Sequence, residues 1–233
     1  MQVLITRPIE DSLQLATLLE SNGFQVIIEP LIKLDFKPHQ VLPSKKWQAI
    51  TFTSANAIRS LNNHPQLPDL LKIPCFCVGP ASADAARKIG FENIERSNGG
   101  VKELRDLIQQ KMLIKSGDLL YVSGETISGR LEVEGFNVTR IPSYSAHAAN
   151  ELSFKIKQQL KAKLVYGALF YSARTANIWQ ELIIKADLYS EAKNIISYCL
   201  SDNVAAQLPS DWNKKVAPSN SDLDMLKILV GDK

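Results

Sequence analysis

The sequence predicts an α/β protein of two similar domains, each a doubly wound parallel sheet. Two observations predict it. Short apolar runs alternate with amphipathic helical stretches along the chain, as expected of parallel strands covered by helices on both faces. The chain also repeats itself. Phe52-Thr53-Ser54-Ala55 returns 118 positions later as Phe170-Tyr171-Ser172-Ala173, and Val78-Gly79-Pro80-Ala81-Ser82-Ala83 is echoed 122 positions later in Leu200-Ser201-Asp202-Asn203-Val204-Ala205. Ser97-Asn98 recurs as Ser219-Asn220, Leu104 and Leu107 map onto Leu226 and Leu229, and Gly23-Phe24-Gln25-Val26 returns as Gly135-Phe136-Asn137-Val138. A short period would mean a solenoid. One long shift means two related domains, with a cleft between them as the place for a ligand.

Taken in order, residues 3–6 read as a strand that Pro8 breaks. Asp11 or Ser12 then caps a helix carrying Leu15, Leu18 and Leu19 on one face. Gly23 ends that helix and 25–29 is the next strand. Further strands fall at 49–52, 75–78, 93–95, 119–122, 137–141, 168–171, 195–200 and 216–217. The order of the repeated units then predicts connectivity. Residues 47–141 hold the Phe-Thr-Ser, Val-Gly-Pro, Ser-Asn and Gly-Phe-x-Val units in that order, whereas the remainder holds the last unit first. One domain is therefore a circular permutation of the other and is split around it. The expected division is a discontinuous domain, 1–32 plus 148–233, an inserted domain at 40–141, and a two-stranded linker at 33–39 and 142–147. The alternation of Leu31-Ile32-Lys33-Leu34-Asp35-Phe36 supports a strand in the first crossing.

Composition narrows the function classes. Hydrophobic content of 45% and charged content of 22% are ordinary for a globular chain. No run approaches the ~18 apolar residues of a membrane span. The N-terminus enters a strand without a basic n-region, so a cytoplasmic protein is expected. A net charge of +3 with dispersed lysines lacks the basic stripe of a nucleic-acid binder. Cys75, Cys77 and Cys199 are expected as buried, reduced thiols, and His39, His64 and His147 are scattered without ligand spacing. Glycine-rich dinucleotide and phosphate loops, a nucleophile elbow and a Cys-His pair are all missing, so neither cofactor nor metal nor covalent nucleophile is expected. Nothing requires more than a monomer.

In doubly wound sheets ligands bind beyond the carboxyl ends of the strands. The strand-to-helix junctions here are built almost wholly from Ser, Thr, Asn and Gly. They contain Thr6 and Arg7; Thr53, Ser54 and Ala55; Gly79 and Ser82; Ser97 and Asn98; Gly124; Ser172 and Arg174; and Ser201 and Asn203. Singly these are ordinary helix N-caps. Together they offer free N–H groups and positive dipole ends to a multiply anionic small molecule. Arg7 and Arg174 could bind carboxylates, or close a salt bridge. Tyr144, in the return crossing, carries a phenol able to donate a proton to a departing oxygen, or to serve as a hinge side chain.

At Leu4-Ile5-Thr6-Arg7-Pro8, Phe52-Thr53-Ser54-Ala55-Asn56-Ala57, Val78-Gly79-Pro80-Ala81-Ser82-Ala83, Gly124-Glu125 and Tyr144 the chain resembles the uroporphyrinogen-III synthase family over essentially its whole length. The resemblance implies two flavodoxin-like domains and a cofactor-free cyclase of tetrapyrrole (haem) biosynthesis. Its substrate would be hydroxymethylbilane, a linear tetrapyrrole with eight carboxylates, received from the preceding enzyme of the pathway by a transient hand-off. The reaction loses the terminal hydroxyl as water, inverts ring D through a spiro intermediate and closes the macrocycle. By the resemblance Tyr144 is the acid assisting hydroxyl departure. Ser82 keeps a hydroxyl where the family often has Thr, and Val204 replaces a Thr frequent in the equivalent unit. The alternative reading is a non-catalytic two-domain module, or an inactive paralogue, binding a polycarboxylate.

Overall fold

The structure, a computed structural model, describes residues 1–37, 42–114, 117–127, 129–219 and 221–232. Among the residues singled out above, His39 and Asn220 lie outside it, as do the end of the expected first linker and the start of the expected insertion. The chain divides into two compact units, residues 1–33 plus 147–233 and residues 34–146.

In chain order, the first unit opens with β1 (Gln2–Ile5), α1 (Ile9–Ser21) and β2 (Gln25–Ile28). The chain then leaves it within β3 (Ile32–Phe36). The second unit follows as β4 (Trp47–Phe52), α2 (Ala55–Arg59), α3 (Leu67–Leu70), β5 (Cys75–Val78), α4 (Gly79–Ile89), β6 (Ile94–Ser97), α5 (Val101–Lys111), β7 (Asp118–Gly124) and β8 (Val138–Ala148). The first unit resumes near the end of β8. It is completed by α6 (Phe154–Lys161), β9 (Val165–Phe170), α7 (Ala173–Lys185), α8 (Tyr189–Lys193), β10 (Ile196–Cys199), α9 (Asp202–Ala205), β11 (Lys214–Val216) and α10 (Asp222–Val230).

The first unit's sheet runs β11-β10-β9-β1-β2, and every pairing is parallel. The second unit's sheet runs β3-β8-β7-β4-β5-β6. Its pairings from β8 through to β6 are likewise parallel. Matching β9, β10, β11, β1 and β2 with β4, β5, β6, β7 and β8 superposes the two orders, so the sheets are circular permutations of one another. In chain order the first is 2-1-3-4-5, the flavodoxin order, and the second is 3-2-1-4-5. "Flavodoxin-like" thus describes the first unit as it stands and the second only after permutation.

Registers refine the repeat. With Phe52 set on Phe170, the ladders place Cys77 on Cys199 and Arg96 on Val216. Ser97 therefore matches Ala217 rather than Ser219. In the following helices the buried pairs are Leu104 with Ile108 and Met225 with Leu229. The expected match of Leu104 with Leu226 is off by one, because the loop before each helix differs in length. Gly23 and Gly135, by contrast, share a φ of 79° at the same turn into a strand.

Central strands are buried on both sides, as in Val3, Leu4 and Ile5, which are fully buried. In the second unit one face packs Ile50, Phe52, Cys75, Cys77 and Val122 against α2, α3 and α4. The other packs Ala49, Phe76, Leu119 and Tyr121 against α5. Cys75, Cys77 and Cys199 are buried free thiols. α1 begins earlier than expected, at Ile9 after Pro8, and Ser12 lies inside it with its hydroxyl donating to the Pro8 carbonyl at 2.9 Å. Leu15 and Leu19 are buried as their spacing predicts, whereas Leu18 is exposed.

Two departures from the repeat lie in the second unit. Between β7 and β8, where the first unit has α1, the described residues of 125–137 form no helix and bury only Leu131 and Val133. A cavity of about 870 Å3 opens there between α5 and this segment. The second departure is in β8, which is longer than β2. Its outer neighbour β3 runs antiparallel to it, with Lys37 N bonding Ser143 O at 2.8 Å and Ala149 N bonding Leu31 O at 2.9 Å.

Candidate active site

The carboxyl ends of β4 and β7, with the middle of β8, bring five of the expected residues together. β4 delivers Thr53, Ser54 and Ala55; β7 ends on Gly124; β8 supplies Tyr144. Ser54 is the N-cap of α2, and its Oγ accepts from Asn56 N at 3.1 Å. The Tyr144 phenol donates to the same Oγ at 3.2 Å. Thr53 Oγ1 lies 3.0 Å from the phenol of Tyr121, which is almost fully buried. Phe36 leans on the Tyr144 ring at 6.2 Å between centroids.

The placement of Tyr144 depends on a β-bulge in the β7–β8 ladder. Val122 pairs with Ile141 and Ser123 with Pro142, but Gly124 pairs with Tyr144, leaving Ser143 extra. A one-residue slip moves every later side chain to the opposite face. Arg140 accordingly lines the cavity beside Tyr121, while Tyr144 packs on the other face together with Ile141. Without the bulge the phenol would lie on the α5 side, away from Ser54. Ser143 holds the slip. Its Oγ is 2.6 Å from Ser60 Oγ, at the end of α2, and 3.3 Å from the Ser123 carbonyl. Close approach does the rest: a Cβ on Gly124 would sit 2.9 Å from Tyr144 Cζ.

The remaining residues of this unit sit at the neighbouring strand ends. Gly79 opens α4 with a φ of 75° and open space around it. No side chain caps α4, and its first turn carries no acid. Ser82 is buried in that first turn. Ser97, at the end of β6, is buried with its hydroxyl unpartnered, and Asn98 is exposed. The N-terminus of the next helix, α5, is taken: Glu103 Oε2 accepts from Gly100 N at 2.7 Å. An anion finds an open helix end at α4 and an occupied one at α5.

In the first unit the expected residues are more fully committed to structure. Thr6 is completely buried and donates to the Leu169 carbonyl at 2.6 Å, so its hydroxyl joins β1 to β9. Arg7 stacks 4.3 Å over the Tyr171 ring and pairs with Asp222 at 3.2 Å and Asp11 at 3.9 Å. Burial, with Asp222 nearby, raises the Tyr171 phenol above its ordinary pKa. Ser172 caps α7, accepting from Thr175 N at 3.1 Å, and Arg174 in the first turn is exposed. Ser201 precedes α9 without a side-chain cap bond, Asn203 is exposed, and Val204 is buried at the position matching buried Ser82.

Arg140 and Ser143 were not foreseen. Nothing in Arg140-Ile141-Pro142-Ser143 marks either, although a proline inside a strand could have pointed to a bulge. Among the described residues no group of three or more His, Cys, Asp or Glu could hold a metal ion, and no helix is long and apolar enough to cross a membrane.

Comparison with known proteins places this arrangement. A family model described as "Uroporphyrinogen-III synthase HemD" matches residues 14–226. A mutant uroporphyrinogen III synthase of Thermus thermophilus shares the fold at a TM-score of 0.52 and 14% identity, over 98% of this chain and 97% of that one. The wild-type form of that enzyme in another crystal aligns at a TM-score of 0.41 and 15% identity, over 100% of this chain and 96% of that one. A search of curated proteins found no match. With its family model spanning nearly the whole sequence and two permuted parallel sheets beneath it, the chain belongs to the uroporphyrinogen-III synthase family, cyclising lyases of tetrapyrrole synthesis that act on a small-molecule tetrapyrrole.

Proposed function

We propose that this chain cyclises hydroxymethylbilane to uroporphyrinogen III with Tyr144 as the acid that assists hydroxyl departure. The observation that carries the proposal is the bond from the Tyr144 phenol to Ser54 Oγ, at the N-cap of α2. Ser54 Oγ accepts from both Asn56 N and Tyr144 and keeps its own hydrogen. When Tyr144 passes its proton to the terminal hydroxyl, water leaves and a phenolate remains. Ser54 can then turn its hydrogen toward that phenolate, and the α2 N-terminus favours the negative charge. Electrons of the substrate's own pyrrole stabilise the resulting azafulvene. The proton lost when the macrocycle rearomatises restores the phenol, so the net change is loss of one water. Folding the flexible substrate so that its ends meet is mainly a matter of proximity and orientation.

For the substrate carboxylates the proposal assigns first the open N-terminus of α4, at Gly79 and Ser82, with Thr53, Ala55 and Gly124 beside Tyr144. Ser97 and Asn98 follow, and within the first unit the proposal names Arg174, Ser172, Ser201, Asn203, Thr6 and Arg7 at that unit's own strand ends. Thr6 would act through its backbone, its hydroxyl being spent. Arg7 would have to exchange Asp222 for a substrate carboxylate. A cytoplasmic monomer receiving its substrate from the preceding enzyme belongs to the same proposal. The test is Tyr144→Phe, which keeps the ring and removes the proton. Turnover of fresh hydroxymethylbilane is expected to fall more than about tenfold, a general acid contributing about 10²–10⁴-fold when it acts alone. Unchanged turnover in the folded variant would remove Tyr144 from the acid role.

A further inference from the structure

Arg140 is an exposed residue whose guanidinium nonetheless makes three directed hydrogen bonds through Nε and Nη2. Its Nε donates to Ser123 Oγ at 2.8 Å, and its Nη2 donates to the carbonyls of Gly124 at 2.6 Å and Glu125 at 2.7 Å. Among the described residues its hydrogen-bond partners are a hydroxyl and two peptide carbonyls, none of them a carboxylate. An arginine used in this way holds backbone rather than balancing charge, and its planar fork spans acceptors that a single ammonium cannot. The backbone it holds is the turn on which the Tyr144 ring lies. Gly124 passes beneath that ring too closely for a Cβ, and Glu125 N returns a bond to Tyr144 O at 2.8 Å. The register slip falls within this segment, between Ser123 and Gly124 at the end of β7, so Arg140 stands on one side of the bulge and Tyr144 on the other.

We propose that Arg140 is a positioning residue for Tyr144, fixing the Ser123-Gly124-Glu125 turn so that the phenol is held toward Ser54. Arg140 touches no reacting atom in this scheme. It acts through the turn, and a lysine in its place keeps the charge but loses the fork. The catalytic half of the proposal rests on Tyr144 being the acid; the positional half does not.

The experiment uses full-length protein labelled with 3-fluorotyrosine, in which the Tyr144 fluorine resonance is assigned by its loss in Tyr144→Phe. Arg140→Lys and Arg140→Met are each made in the wild-type and the Tyr144→Phe backgrounds, and turnover of hydroxymethylbilane is measured alongside the spectra. The expected result is a shifted Tyr144 resonance in both Arg140 variants and a kcat lower by about tenfold with KM nearly unchanged, as a small misplacement of a reacting group produces. In the Tyr144→Phe background the same substitutions should cause no further loss. An unmoved Tyr144 resonance, or an equal loss of kcat in both backgrounds, overturns the proposal. A shifted resonance together with full turnover in Tyr144→Phe supports the positional coupling and overturns the acid role instead. Arg140→Lys keeps the stem and charge, and so serves if Arg140→Met does not fold.

Discussion

Replacing Gly124 by alanine isolates the placement of the phenol from its chemistry. The added Cβ would meet Tyr144 Cζ at 2.9 Å, Oη at 3.1 Å and Cε2 at 3.2 Å, where ordinary contact begins at 3.4 Å. The ring must therefore move by about 0.5 Å or more, against its packing on Phe36 and its bond to Ser54. The backbone itself raises no objection, since Gly124 is not among the positive-φ glycines. Alanine stiffens the unfolded chain, a gain of about 0.4–1 kcal/mol. Overpacking costs about 1–3 kcal/mol. Net stability should thus fall by no more than about 2.6 kcal/mol. Catalysis is less forgiving. The Tyr144–Ser54 bond is already long at 3.2 Å, and a misplacement of about 1 Å can cost a hundredfold in rate. A shift of half that size should lower kcat about tenfold. Urea unfolding and turnover of hydroxymethylbilane, measured on the same preparation, read the two effects. A folded Gly124→Ala variant turning over within twofold of wild type would refute the geometry assigned to Tyr144.

Other perturbations separate the supporting parts. Ser143→Ala removes the hydroxyl that holds the bulge between Ser60 and Ser123, and should cost about 1–2 kcal/mol in urea unfolding. Gly79→Ala puts an L residue at a φ of 75° and should cost about 1–2 kcal/mol in the same assay, although its Cβ would meet open space. Asp232 accepts from the Tyr198 phenol at 2.7 Å and pairs with Lys215, and these bonds hold its carboxyl below the usual range. A depressed folded pKa gives stability that is present above the unfolded value of about 3.9 and lost as pH falls through the lower folded value. Asp232→Asn should therefore unfold at lower urea than wild type at pH 7, and the gap should narrow as pH falls below about 3.9.

Much of the fold was legible because burial on both faces writes itself into composition. Val3-Leu4-Ile5 and Cys75-Phe76-Cys77 can be little other than central strands. The permutation was legible because Phe-Thr-Ser and Phe-Tyr-Ser end matching strands at matching helix caps. Resolution failed where spacing depends on loops, as at Ser97 and Ser219, and where helix phase is read from leucines alone, as at Leu226. At the site, residue types revealed strand ends but not their availability. Ser54 and Ser172 look alike in sequence, yet only Ser54 receives a tyrosine. Thr6 looks like a ligand until the neighbouring strand claims its hydroxyl. The clamp at Arg140 and the absence of a helix among the described residues of 125–137 arise from register and tertiary packing, and Pro142 alone hinted at the bulge beside it.

This chain closes hydroxymethylbilane with ring D inverted, and by the proposal above Tyr144 assists the loss of its hydroxyl. The direct measurement is the isomer composition of porphyrins formed from fresh hydroxymethylbilane, oxidised and resolved by chromatography, with wild-type protein, with Tyr144→Phe and without protein. Isomer III is expected from the wild type, a rate of isomer III formation reduced more than about tenfold in Tyr144→Phe, and isomer I from unassisted closure without protein. An isomer ratio with the wild type no different from the protein-free control would contradict this activity.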